Sequence, residues 1–465
     1  MEIDRRENTI AAISTAVSNS GIGIIRVSGN EAILIIDRIF ECKRKKLKEV
    51  PSHTVHYGII KDGDFMIDEV LVLVMRGPHS YTGEDTVEIN CHGGALVMKK
   101  ILETVIRYGA VPAEPGEFTK RAFLNGRMDL SQAEAVMDII CSKNEYAIKS
   151  SMSQLKGSVS RKVKELREII LYQVAYIESA LDDPEHISLD GYRDELQNIL
   201  KPVIDEVKRM LDTADNGRII SEGIQTVILG KPNAGKSSLM NVLVGKERAI
   251  VTDTPGTTRD VLEEQVNLDG ITLNIADTAG IRKTEDMIEK IGVEKAKNYL
   301  AQADLIIYVV DASIGLDKND KEILELLQGH KVLVLLNKMD LLQVISENDF
   351  RNVLSKRGLS LPIISVSAKE ETGIKELKST IQNMFFHGEV TCNDEVCITN
   401  VRQKADLQSA LDSLFLVKNS IENQMPEDFY SIDLMNAYEA LGSIIGESVG
   451  EDLVNEIFSK FCMGK

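Results

Sequence analysis

Gly230-Lys-Pro-Asn-Ala-Gly-Lys236-Ser237 decides how this chain is read. It fits the phosphate-binding pattern G-x-x-x-x-G-K-[ST], follows an apolar strand-like run from Gln225 to Leu229, and opens a predicted helix from Ser238. Strand, glycine-rich turn and helix are the setting the motif requires. Backbone N–H groups of such a turn surround phosphate oxygens at the positive end of the helix. Asn233, Ala234, Gly235, Lys236, Ser237 and Ser238 are therefore candidate nucleotide-binding residues, with Lys236 reaching the outer phosphates and the Ser237 hydroxyl binding Mg²⁺.

Further motifs follow in order. Asp277-Thr278-Ala279-Gly280 ends an apolar run from Ile271 to Ala276 and suits a strand-end carboxylate with a glycine N–H facing a γ-phosphate. Asn337-Lys338-Met339-Asp340 ends the run Val332 to Leu336 and suits base reading. A carboxylate at Asp340 accepts both N–H donors of guanine but meets the lone pair of adenine N1, stranding a buried charge; this selects GTP over ATP. Ser367-Ala368-Lys369, after Pro362 to Val366, suits a loop offering a backbone N–H to guanine O6. Between the first two motifs lies Thr252-Asp253-Thr254-Pro255-Gly256-Thr257-Thr258-Arg259-Asp260, where Thr258 is the candidate switch threonine for Mg²⁺. Ile281 stands where a Ras-like enzyme carries its water-orienting glutamine, so another residue must orient water. The chain is expected to bind GTP.

Composition narrows the partners. The 465 residues imply more than one domain, and 54 Lys plus Arg against 72 Asp plus Glu leave a net charge of −18. Such a balance argues against indiscriminate nucleic-acid binding, so an RNA partner must meet a local basic surface. The run Lys43-Arg44-Lys45-Lys46-Leu47-Lys48 is one candidate, with a solvated face as the plainer reading. No apolar stretch is long enough to span a bilayer and the N-terminus lacks a secretory core, so no membrane partner is expected. Cys42, Cys91, Cys141, Cys392, Cys397 and Cys462 are scattered without a Cys-x-x-Cys pair, which suits free thiols in a reducing cytoplasm.

Three textures alternate along the chain. Residues 1–125 mix short β-like runs (Gly23–Val27, Val70–Met75, Thr86–Asn90) with a predicted helix near Ala95–Tyr108, an α/β domain of its own. From about Ser131 the periodicity is helical: Leu155, Val159, Val163, Leu166, Ile170, Val174, Ile177 and Leu181 step by three or four. A second stripe through Leu196, Leu200, Val203, Val207 and Met210 contains Pro202, which is expected to kink or restart it. Helical patterns resume after Cys397. The domains read as 1–125, a helical bundle in two parts (126–221 and 387–465), and an inserted Ras-like P-loop GTPase domain over 222–386.

The phosphate loop, Thr-Asp-x-x-Gly-Thr-Thr-Arg-Asp and Asp-Thr-Ala-Gly-Ile-Arg together resemble the translation-factor-related GTPases. Outside them, Gly21-Ile-Gly-Ile-Ile-Arg26-Val-Ser-Gly29, Ser80-Tyr-Thr-Gly-Glu-Asp85, His92-Gly-Gly94, Pro115-Gly-Glu-Phe118, Arg121-Ala-Phe-Leu-Asn125 and Asp129-Leu-Ser-Gln-Ala-Glu134 resemble the MnmE (TrmE) family of tRNA modification GTPases. So does the terminus Phe461-Cys462-Met463-Gly464-Lys465, and the resemblance covers essentially the whole chain.

The resemblance implies a K⁺ ion beside the phosphates, held by Asn233, Thr252, Thr254 and Thr257, and water orientation by Glu289, with Glu285 as competitor. The plainer reading of Glu289 is a solvated acid at a helix start. It implies an N-terminal folate-binding-like domain for a 5-formyltetrahydrofolate-type donor, with Arg26, Glu88, Arg127 and Lys465 at the site. Arg127 keeps the charge but not the shape of the Lys common among relatives. Cys462 is a candidate catalytic thiol, or a packing residue beside Ile457, Phe458 and Phe461. The Cys91-His92 neighbours read as turn residues, not a dyad, because adjacent strand side chains point oppositely. The family also implies a homodimer working with the FAD-dependent protein MnmG, as a heterotetramer, on the wobble uridine of tRNA. The alternatives are a GTP-dependent ribosome-assembly switch without modification chemistry, and a folate-binding enzyme in which GTP hydrolysis is only regulatory.

Overall fold

Alternating burial in the N-terminal third builds an open sheet. In the computed structural model, which describes residues 8–42, 46–246, 263–268, 270–276, 300, 303–386 and 396–464, the strands are β1 (Ile10–Ile13), β2 (Ser20–Ser28), β3 (Phe40–Glu41), β4 (Thr54–Asp62), β5 (Phe65–Met75), β6 (Thr86–Gly93) and β7 (Val111–Pro112). They form a seven-stranded sheet in the order β3-β4-β5-β6-β2-β1-β7, antiparallel except for the β1–β7 pair. On β5, Val70, Val72 and Val74 are buried while Leu71 between them is exposed, the period of two that a one-faced sheet requires. Helices α1 (Ala32–Ile39) and α2 (Ala95–Arg107) lay Ile33, Ile36, Met98, Ile101 and Val105 into the same core. Pro112 closes β7 at the sheet edge, where a missing N–H removes no ladder bond.

The described chain divides into two units. The first contains the residues up to Met137, Gln154–Asn198 and those from Ser409 on; the second contains Asp138–Ser153 and Ile199–Gln408. Besides the sheet, the first unit holds α3 (Glu117–Leu124), most of α4 (Leu130–Cys141) and, beyond α5 (Glu145–Leu155), the long α6 (Ser158–Asp182). Gly157, at φ +82°, separates α5 from α6, so the long helical stripe is two helices rather than one. The buried seam of α6 runs through Val163, Leu166, Ile170, Gln173 and Ile177; Leu181, expected in that seam, is exposed.

In the second unit, the part of α7 (Tyr192–Glu222) from Ile199 on feeds β8 (Ile224–Leu229), and α8 (Lys236–Lys246) follows the glycine turn. α7 remains one helix through Pro202, so the expected restart does not occur. The remaining strands are β9 (Glu263–Leu268), β10 (Ile271–Ala276), β11 (Leu305–Asp311), β12 (Val332–Asn337) and β13 (Ile363–Ser365), in the order β13-β12-β11-β8-β10-β9. All neighbours are parallel except β9 and β10. Every residue of β11 and β12 is buried, because alternate side chains enter different cores. Leu305, Ile307 and Val309 join the α8 side; Ile306, Tyr308 and Val310 face α9 (Lys318–Leu326) and α10 (Glu347–Ser355). Helix α11 (Ile374–Phe386) covers the first of these with Leu377, Ile381 and Phe385. Further along the chain lie α12 (Val401–Glu422), α13 (Glu427–Ile445) and α14 (Glu451–Ser459).

Candidate nucleotide-binding site

The strand order sets β8, β11, β12 and β13 side by side with their carboxyl ends on one edge, where open parallel sheets place ligands. Three of these strand ends, those of β8, β12 and β13, each deliver one expected piece. β8 delivers the glycine turn, whose Gly230 (φ +151°), Asn233 (φ +61°) and Gly235 (φ +98°) occupy the left-handed half of backbone space. A β-carbon on Gly230 would stand 2.4 Å from the carbonyl oxygen of Val309. Lys236 Nζ donates to the carbonyls of Gly230 and Lys231, both at 2.7 Å, and burial lowers its pKa. Ser237 and Ser238 are exposed on the first turn of α8, and Ala234 is buried beneath the loop.

β12 delivers Asn337, Lys338 and Asp340. Asn337 is buried and works as a strut: its Nδ2 donates to Ala234 O at 2.8 Å, and its Oδ1 accepts from Ala368 N at 3.1 Å. The phosphate loop and the Ser367-Ala368-Lys369 loop are thus joined through one carboxamide. Asp340 Oδ1 accepts from Ser367 Oγ at 2.7 Å, and that bond holds the carboxyl below the usual carboxylate range. Lys369 is exposed.

Two residues that sequence reading passed over also sit here. Asp311, at the end of β11, accepts from Ser313 N and Oγ on one oxygen and from Lys338 Nζ at 2.5 Å on the other. Burial alone would push its carboxyl up; the bonds from Lys338 and Ser313 outweigh that and hold it low. Lys231, in the glycine turn, bonds Asp320 Oδ2 at 2.7 Å and Asp317 Oδ2 at 3.1 Å. The signal available was the apolar run Leu305–Val310 ending in an acid.

Thr252, Asp253, Thr254, Pro255, Gly256, Thr257, Thr258, Asp277, Thr278, Ala279, Gly280 and Glu289 lie outside the described residues, as do Lys43, Arg44, Lys45, Ile281, Glu285, Cys392 and Lys465.

A second cluster lies in the first unit. Arg26 and Glu88 are register partners on β2 and β6, and Arg26 Nε and Nη2 both bond Glu88 Oε1, at 2.9 and 2.8 Å. Arg26 and Arg127 lie over the Tyr81 ring, at 5.1 and 5.2 Å from its centroid, and Arg127 also bonds Tyr81 O. The chain terminus reaches the same place: Gly464 O accepts from Arg26 Nη1 at 3.2 Å and from Ser14 Oγ at 3.1 Å. Arg26, Glu88 and Arg127 therefore converge, with Gly464 beside them. Cys462 is half-buried, and its carbonyl accepts from Gly116 N.

Two family models match: the "GTP-binding protein TrmE N-terminus" over residues 9–127 and the "MnmE helical domain" over residues 130–462. The tRNA modification GTPase MnmE of Lachnoclostridium phytofermentans is 58% identical, aligned over 99% of this chain and 100% of that protein. Its counterpart in Acetivibrio thermocellus is 49% identical over 99% and 100%. This chain belongs to the tRNA modification GTPase MnmE family.

Three of the MnmE-like stretches of the N-terminal third form one network. Arg121, buried, pairs with Glu84 and Glu117; Asn125 Nδ2 donates to Thr82 O at 2.8 Å, and Tyr81 OH shares a hydrogen bond with Thr119. Three stretches of the MnmE pattern thus hold each other in place around Tyr81. The Cys91 and His92 side chains diverge: Cys91 is buried and bonds Gly23 O, while His92 is exposed and bonds Asp68. Among the described residues no group of three or more His, Cys, Asp or Glu is placed to hold a metal, and no helix is long and apolar enough to cross a membrane.

Proposed function

We propose that this chain is a GTP hydrolase that modifies the C5 position of the wobble uridine in tRNA. The observation that carries the nucleotide half is the Asp340 carboxylate, fixed by Ser367 and kept ionised on the same sheet edge as a phosphate loop. An ionised carboxylate there accepts both guanine N–H donors, and adenine offers a repelling lone pair in place of one. Lys236 would trade the Gly230 and Lys231 carbonyls for phosphate oxygens. The relatives' shared name, tRNA modification GTPase, supports the tRNA half.

Ser237, whose hydroxyl is exposed at the start of α8, fits an oxygen-seeking Mg²⁺, with Thr258 as the second protein ligand. Asn233 presents its carboxamide on an exposed left-handed turn and fits K⁺, with Thr252, Thr254 and Thr257. Bound there, the cations would offset charge developing between the β- and γ-phosphates. Glu289 would orient water, with Glu285 as the competing position. In the first unit, Glu88 Oε2 has no partner among the described residues and would accept pterin N–H donors of a 5-formyltetrahydrofolate-type donor. Arg127 and Lys465 would meet its carboxylates, while Arg26 holds Glu88 in place. The chain would work as a homodimer with MnmG, in the cytoplasm.

Nucleoside analysis by mass spectrometry of tRNA from cells lacking the gene tests the proposal. C5-modified wobble uridine should vanish, return with the wild-type gene, and stay low with Asp340→Asn. Unchanged modification in the deletion strain would remove it.

A further inference from the structure

The base-reading loop carries a lysine whose anchor belongs to a different strand. Lys338 follows β12 at φ +66°, a left-handed conformation that a side-chain-bearing residue adopts at a cost of about 1–2 kcal/mol. Its side chain crosses to the neighbouring strand end, where Asp311 is the register partner of Asn337. The Asp311 side chain is 6% exposed and that of Lys338 30%, so the pair is shielded on the acid's side and open on the lysine's. Ser313 fixes Oδ1 of the carboxylate through its N–H and hydroxyl, leaving Oδ2 for the ammonium. A lysine stem tethered at both ends has lost most of its rotamer freedom before any ligand arrives. Preorganisation of this kind raises affinity by reducing what must be ordered on binding.

We propose that Asp311 is a positioning residue for guanine-nucleotide binding, acting through Lys338. The assignment rests on the strand-end edge being the GTP site. The Lys338 stem spans the ends of β11 and β12 between the phosphate loop and Asp340, and Asp311 fixes where it lies. Lys231 is held in the same way by Asp317 and Asp320, so two of the site's lysines pair with acids at the end of β11 and the start of α9.

A double-mutant cycle on the full chain tests this, read as the dissociation constant of a fluorescent mant-GDP probe. Asp311→Asn keeps the shape and an oxygen that can still accept from Ser313 N and Oγ, but removes the charge; affinity should fall about tenfold, equal to about 1.4 kcal/mol. Lys338→Met should cost a similar factor, and the double variant should be no weaker than Lys338→Met alone. A purely structural acid would instead give losses that multiply, and that result overturns the proposal. So does an Asp311→Asn affinity within twofold of wild type. Where Asp311→Asn fails to fold, Ser313→Ala carries the test: an approximately threefold loss that disappears in the Lys338→Met background is expected, and no loss overturns it. A wild-type chain that ignores mant-GDP rejects the site itself and the proposal with it.

Discussion

A β-carbon at Gly235 would stand 2.1 Å from Asn337 Nδ2, in a backbone conformation (φ +98°) that L side chains rarely adopt. The motif glycine therefore makes room for the carboxamide that joins the glycine turn to the Ser367-Ala368-Lys369 loop. Single-residue surroundings also separate the thiols. Burial, with the Asp68 charge adding to it, pushes the Cys91 thiol up to about 11, whereas Cys141 is exposed. Only the thiolate is a good nucleophile. Native protein treated with iodoacetamide at about pH 8 should label Cys141 and spare Cys91, with peptide mass mapping as the readout; equal labelling would contradict the burial argument. Because the folded value is raised, this thiol favours the folded state undiminished below the ordinary value of 9.0. That contribution is lost as pH climbs toward about 11.

Among elements, those with a strong local period were legible and those set by partners were not. β12 reads directly from Val332–Leu336, because a strand buried on both faces is a continuous apolar run. β11 has the same texture and ends in Asp311, yet its acid carries meaning only once Asn337 is seen to lie opposite it. The α6 seam was legible through Val159, Val163, Leu166, Ile170 and Ile177 but not at Gln173, which is buried with Tyr192 OH donating to its Oε1 at 2.8 Å, a pairing that periodicity does not reveal. Arg167, buried on the same helix, lies 4.0 Å from the Tyr438 ring centroid and donates to Tyr438 O, so a charged residue occupies a core position. Pro202 reads as a kink or a restart, and α7 continues through it as one helix, so surrounding packing by Val203, Val207 and Met210 offsets a lost hydrogen bond and a ring clash. Proline inside a helix is about 3 kcal/mol less favourable than alanine, and Pro202 itself is exposed and fills no core space. Pro202→Ala should therefore raise unfolding stability by about 1–3 kcal/mol in a denaturant titration. A lower stability would mean that the ring is needed where it lies.

On the scale of the whole chain, the terminus is the least expected structural part. A glycine followed by one lysine at the end of a chain ordinarily frays. Here Gly464, at φ +82°, is bound to Ser14 and Arg26 from the opposite end of the sequence, and Gly116 N bonds Cys462 O. The family terminus pointed to this place, but the reason lies in backbone geometry: a β-carbon on Gly464 would stand 2.5 Å from Ile13 O. Removing residues from Cys462 onward deletes acceptors for two neutral donors and one guanidinium. At about 1 kcal/mol for a neutral bond and about 1.5–3 for a charged one, the loss is about 3.5–5 kcal/mol, felt first at β1 and β2. Gly464→Ala keeps the chain length and every acceptor but cannot enter the same turn, so it should reproduce most of the effect. Hydrogen exchange of Ile10–Ile13 and Ser20–Ser28 is the measurement, since local opening there is read separately from global unfolding. Faster exchange on both strands in both variants is expected. Protection equal to wild type in the truncated chain would show that the terminus only rests on the sheet; loss in the truncation alone would shift the anchoring from Gly464 to Cys462.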